Sequence, residues 1–173
     1  MLLLTIGSCV LISNKESISL ITGAQTSTPT GVANVTVTAT TYISLPLASI
    51  DFGPMDNNVN NDTLNDSPAP FQLQNDGTVN VNVTIQATDI FTTAPNPNSS
   101  YQFACGSGEI SCPTGSIVNL TNMSSSGNPI LIIADLPFTD TGDQVEVDIG
   151  VTIPNAEPAG LKSSTVTFTA TQA

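Results

Sequence analysis

The feature that most constrains this chain is a strict alternation of apolar and polar residues. In TVNVNVTIQATD, residues 78–89, Val79, Val81, Val83, Ile85 and Ala87 share one parity, and Asn80, Asn82, Thr84 and Gln86 take the other. Successive side chains of a strand point to opposite faces, so this period of two buries one face and wets the other. The pattern returns in NVTVTATTYI (Val35, Val37, Ala39, Thr41, Ile43), in QVEVDIGVTIP (Val145, Val147, Ile149, Val151, Ile153) and in SSTVTFTAT (Val166, Phe168, Ala170). Shorter strands are expected at LASIDFG, APFQLQN, SYQFAC, GSIVNLT and PILIIADL. Turn clusters such as NDG, APNPNSS, SSSGNP, DTGD and NAEPAG separate them. No helical period is visible after residue 31. Eight or nine such strands predict an all-β chain, a single antiparallel β-sandwich of immunoglobulin-like or jelly-roll type over residues 32–173.

The residue types present narrow the chemistry. The 173 residues are 39% hydrophobic, enough for the core of one domain, but only 9% charged. There is no His and no Arg, Lys15 and Lys162 are the cations, and the formal charge is −12. Such a chain lacks the cationic groups that nucleic acid, anionic membranes and phosphates require, so no nucleic-acid partner is expected. Without His there is no Ser-His-Asp or Cys-His nucleophile and no imidazole zinc ligand. An enzyme built from what remains would have to work with carboxylates. Asp140-Thr141-Gly142 matches the aspartic-protease triplet, but it has no second copy and reads equally as a turn before a strand. A glycosidase cleft would want aromatics, and the chain has no Trp and two Tyr, Tyr42 and Tyr101. No enzymatic activity and no obligatory cofactor are expected. Lys162 reads as a strand-end lysine whose head reaches water, with an isopeptide-forming lysine as the sharper alternative.

The N-terminal residues 2–12, LLLTIGSCVLI, are too short to span a bilayer and have the length of a secretory hydrophobic region. Residues 1–24 are therefore expected to be an export signal or a retained hydrophobic segment. Cleavage after Ala24 and lipidation at Cys9 are the two processing routes compatible with it, and neither leaves a membrane span in the mature chain. Residues 25–31 form a flexible Thr/Pro/Gly leader. Cys105 and Cys112 bracket GSGEIS and are expected to pair as a disulfide in an oxidising compartment.

The stretch DNNVNNDTLND, residues 56–66, lies in a long connection between Pro54 and Pro68. Asp56, Asn58, Asn60 and Asp62 follow the start of a calcium-loop pattern, but Asn61 replaces the glycine and no Glu closes it. The same stretch holds two N-x-[ST] sequons, at Asn61 and Asn65; the others are Asn34, Asn82, Asn98, Asn119 and Asn122. A structural calcium site, a glycosylated turn and a plain solvated turn all fit it. A second acidic group, Asp135, Asp140, Asp143, Glu146 and Asp148, follows late in the chain.

FQLQNDGTVNVNVTI, followed by VEVDIGVTIPNAEPAGLKSSTVTFTATQA, together with IDFG at residues 50–53, resembles secreted microbial surface sandwiches. It is similar to archaeal surface-filament subunits and, more distantly, to the TasA and camelysin biofilm-fibre proteins. The resemblance implies an extracellular structural subunit of a filament, pilus or surface layer, polymerising with copies of itself by lending a strand. The uncharged, proline-free VANVTVTATTY is the expected donor, with Val35, Val37 and Ala39 filling a groove. A cell-surface adhesion or carbohydrate-binding module is the alternative.

Overall fold

A computed structural model of the protein describes residues 31–173. The expected export signal, Cys9, Lys15 and the leader up to residue 30 lie outside the described residues. Contacts divide the chain after Thr36 into two units, of which the second is Val37–Ala173. It carries nine strands: β1 (Ile43–Leu47), β2 (Asn60–Asp62), β3 (Phe71–Asn75), β4 (Val81–Ala87), β5 (Tyr101–Gly106), β6 (Thr121–Asn122), β7 (Ile130–Leu136), β8 (Gln144–Thr152) and β9 (Val166–Gln172). No helix occurs among the described residues.

The strands form two antiparallel sheets. A six-stranded sheet runs β1-β3-β8-β5-β6, with β2 also on β8, and a three-stranded sheet runs β7-β4-β9. The alternation read from the sequence explains the central strands. Along β4, Val81, Val83, Ile85 and Ala87 are buried, and the residues between them are half-exposed. On β8 the apolar parity is buried too, but Asp148 and Gly150 are also covered. Leu120 lies over the outer face at Gly150, where a Cβ would already be 3.4 Å from both Leu120 methyls. Side chains of both sheets meet in one apolar cluster around Leu73, Ile85, Phe91, Phe103, Ile133 and Val147.

Three expected strands fail for identifiable reasons. NVTVTATTYI forms no strand before Ile43, and Val35 and Val37 are 90% and 76% exposed. Alternation offers a face to bury, but a strand also needs a ladder partner. Among the described residues, 38–40 are instead tied to Thr78: its hydroxyl donates to the Thr38 carbonyl and accepts from the Thr40 amide, and its amide donates to the Thr40 carbonyl. LASIDFG contributes only Leu47, to β1. Asp51 accepts the Gly53 amide at 2.8 Å and Gly53 takes a positive φ of 67°, which turns the chain. In GSIVNLT only Thr121 belongs to a strand, β6. Ile117 donates to Ile132 of β7 and accepts from Cys105 of β5, so it bridges the two sheets rather than extending either. The connection over 54–70 holds an element that was not expected, β2, whose Asn60–Asp62 pair with Gly150–Thr152.

The cysteines do pair: Cys105 and Cys112 are bonded with their Cα atoms 6.1 Å apart. The bridge ties the hairpin-like excursion after β5 to a buried strand residue. Closing so short a loop restricts the unfolded chain, so the Cys105→Ser, Cys112→Ser variant is expected to lose roughly 2–3 kcal/mol. A lower urea midpoint would show it, and an unmoved midpoint would contradict it.

Candidate functional site

The two flanks where the sheets meet differ. On one flank, residues 107–128 close the gap: Ile117 bridges β5 and β7, the Met123 amide donates to Tyr101, and the Ala87 amide donates to Ser124. On the other flank β1 and β9 are the last strands of their sheets. Beside them opens a cleft of about 1340 Å³, lined by Leu45, Ile50, Phe52, Ile153, Val166 and Phe168 among others.

The reason this flank stays open is the state of β9. Its register against β4 is unbroken from Val81↔Gln172 to Ala87↔Val166. Val166, Phe168 and Ala170 are nevertheless only half-buried, whereas Val83 and Ile85 opposite them are fully buried. No strand lies beyond β9 among the described residues to cover them. Phe168 rests edge-on against Phe71, ring centres 5.8 Å apart at 77°. The strand carries no charge, no proline and no bulge, the devices by which edges are usually protected.

A polar clamp sits at this cleft. The Glu157 side chain is 1% exposed and pairs with the Lys162 ammonium at 2.7 Å. It also accepts the amide and hydroxyl of Thr92 and of Thr93, at 2.5–3.1 Å. Burial pushes this carboxyl up, but the Lys162 ammonium and the Thr93 and Thr92 donors outweigh it and hold it well below the ordinary carboxylate range. Lys162 is thus not a lysine reaching into water; it neutralises a buried carboxylate that needs it. The clamp pins the segment after β8 to the loop after β4, which fixes one wall of the cleft. A depressed folded value means that its stabilisation is present above the ordinary carboxylate range and is lost as pH falls through the folded value. Glu157→Gln is therefore expected to lower the melting temperature at neutral pH, with a smaller deficit in strong acid; an equal deficit at both would contradict the ionic account.

The acidic residues regroup in space. Glu146 and Asp148, on β8, are neighbours of each other and of Asp66 from the 54–70 connection, and Asp148 also of Asp62. Burial, then the neighbouring carboxylates, raise both Glu146 and Asp148, and the Thr63 hydroxyl opposes this at Asp148 through a 2.8 Å bond. A raised folded value costs stability at neutral pH, and the cost is relieved as pH falls from that raised value toward the ordinary one. Asp148→Asn, which can keep the Thr63 bond, is expected to melt above the parent at neutral pH, with the gain shrinking in acid. A lower melting temperature at neutral pH would overturn this.

Of the candidate calcium ligands, Asp56 and Asn58 lie in a turn, whereas Asn60 and Asp62 belong to β2. Asp62 accepts the Leu64 amide at 3.1 Å, and the Asn58 amide group contacts Asn155 at 3.5 Å. Among the described residues, no group of three or more His, Cys, Asp or Glu could hold a metal ion. Asp140-Thr141-Gly142 forms a turn closed by the Gly142 amide on Thr139 at 2.8 Å. The sequon asparagines Asn34, Asn65, Asn119 and Asn122 are exposed, and Asn61, Asn82 and Asn98 are half-buried. Sequence reasoning missed Glu157, whose NAEPAG context reads as a turn and whose threonine partners lie 64 and 65 residues away. It also missed Asn75, which is fully buried at the end of β3. Compared with protein-family models, with curated proteins and with solved structures, the chain matches none.

Proposed function

We propose that this chain is an extracellular structural subunit that polymerises by strand exchange, residues 32–41 of one copy adding to the β9 edge of the next. In this reading the two sheets are the layers of a β-sandwich with one open flank. The observation that carries it is β9 itself, seven uncharged residues with no edge protection beside a cleft lined by Leu45, Ile50, Phe52 and Phe168. Such an edge is a template for another strand. The donor suits it in length and charge. Ten residues extend about 33 Å and β9 about 23 Å at roughly 3.3 Å per residue, so the donor spans the edge. Both segments are neutral in a chain of charge −12, so they meet where repulsion between copies is weakest. The Cys105–Cys112 bridge fits an oxidising, extracellular setting.

Lysines on the outward positions of β9 test the proposal. Thr167→Lys with Thr169→Lys protects the edge without touching the cleft-facing parity. The parent is expected to form polymers visible by negative-stain electron microscopy, and the lysine variant to remain a folded monomer. Equal polymerisation of both would refute the assignment. A parent that stays monomeric and instead binds glycans would replace it with the adhesion reading.

A further inference from the structure

The fold brings sequons that are far apart in sequence to one patch of the six-stranded sheet. Asn61 of β2, Gln102 of β5, Leu120 and Gly150 line one small hollow on its outer side. Asn122, on the edge strand β6, accepts from the Gln102 amide at 3.3 Å, and Asn119 flanks Leu120. Asn119 and Asn122 are exposed, and among the described residues neither amide nitrogen has a hydrogen-bond partner. What surrounds them calls for protection. β6 is an edge strand, Val118 beside it is 58% exposed, and residues 110–134 contain no charged side chain. A chargeless edge beside an exposed valine invites association. We infer that Asn119 and Asn122 carry N-linked glycans that cover the β6 edge and the exposed Val118.

The chemistry needs one co-reactant class, an oligosaccharide joined to a lipid carrier through a glycosyl phosphate, and an external transferase. The side-chain nitrogen of the asparagine bonds to the sugar C1 as the C1–O bond to phosphate breaks. The amide gives up one proton, and the lipid phosphate leaves with the bonding electrons. No oxidation is involved. None of the residues lining the cleft beside β9 is a sequon asparagine, so the sugars and the proposed strand contact occupy different surfaces.

The inference shares with the proposed function only the export of the chain, and its test separates the two. Chain isolated from the surface of its own cells is digested without reduction, and peptides spanning 110–134 are analysed by intact glycopeptide mass spectrometry. An intact Cys105–Cys112 bridge in the same sample reports export independently. Glycan mass at Asn119 and Asn122 is the expected result; bridged chain with both positions unmodified overturns the inference, whatever its state of polymerisation. The Asn119→Gln, Asn122→Gln chain, made in the same cells as the parent, is further expected to keep the parent melting temperature but to scatter several-fold more light on concentration. Unchanged scattering would refute the shielding role.

Discussion

Deleting residues 32–41 is expected to abolish polymerisation while leaving a folded monomer. Before β1 begins at Ile43, these residues have no place in either sheet, and Val32, Val35 and Val37 stand 88%, 90% and 76% exposed. What the monomer loses is chiefly the set of bonds to Thr78, each worth about 1 kcal/mol. What the polymer loses is the whole donor: two valines that gain roughly 1.5–3 kcal/mol each on burial, and the ladder along β9. Adding the 32–41 peptide back should cap the cleft of the truncated chain and raise its melting temperature. Because truncation removes several features together, Val35→Asp with Val37→Asp provides a second reading. Both side chains are exposed in the subunit, so the variant should fold as the parent does. An unpaired carboxylate buried against Phe168 is costly and would add charge to a cleft that already holds Asp51 and Asp56, so the variant should not polymerise. Polymers of normal length from either variant would refute the donor assignment.

Asn75→Ala is expected to be among the most damaging single substitutions, although it touches neither the cleft nor the donor. Asn75 is fully buried at the end of β3, and its amide group donates to the carbonyls of Val79 at 3.0 Å, Leu136 at 3.1 Å and Pro137 at 3.0 Å. Its oxygen accepts the Gly77 amide at 3.1 Å. One side chain thus links the six-stranded sheet to the end of β7 in the three-stranded sheet. Truncation strands several polar groups, the Leu136 carbonyl among them in a buried setting, and the expected loss is roughly 3–4 kcal/mol. For a chain of this size that corresponds to a fall in melting temperature of roughly 6–15 °C. Asn75→Asp is expected to be at least as severe, since a carboxylate would face three carbonyls. A loss below about 1 kcal/mol for Asn75→Ala would show that these groups find other partners.

How much of this was legible in the sequence depended on how local the controlling interaction is. The buried parity of β4 and of much of β8, the strands β3, β5 and β7, and the Cys105–Cys112 bridge were all legible, because alternation and short spacing are properties of neighbouring residues. Alternation in NVTVTATTYI was equally clean, yet no strand forms before Ile43, since pairing depends on a partner that local sequence does not specify. β2 was missed for the converse reason: NND has almost no strand propensity and is held by its ladder to Gly150–Thr152. The cleft was invisible because it is defined by the missing neighbour of β9, a property of topology. Glu157, Lys162, Thr92 and Thr93 each looked like turn or surface residues, and only the fold brings them together.

The measurement that bears most directly on the account is a reconstruction, by electron cryomicroscopy, of the polymer formed by the mature chain, at a resolution that traces strands. Residues 32–41 of one copy are expected to lie extended along β9 of the next, with Val35, Val37 and Ala39 turned into the cleft toward Phe168. A polymer in which β9 faces solvent, or is covered by residues of its own chain, would contradict it.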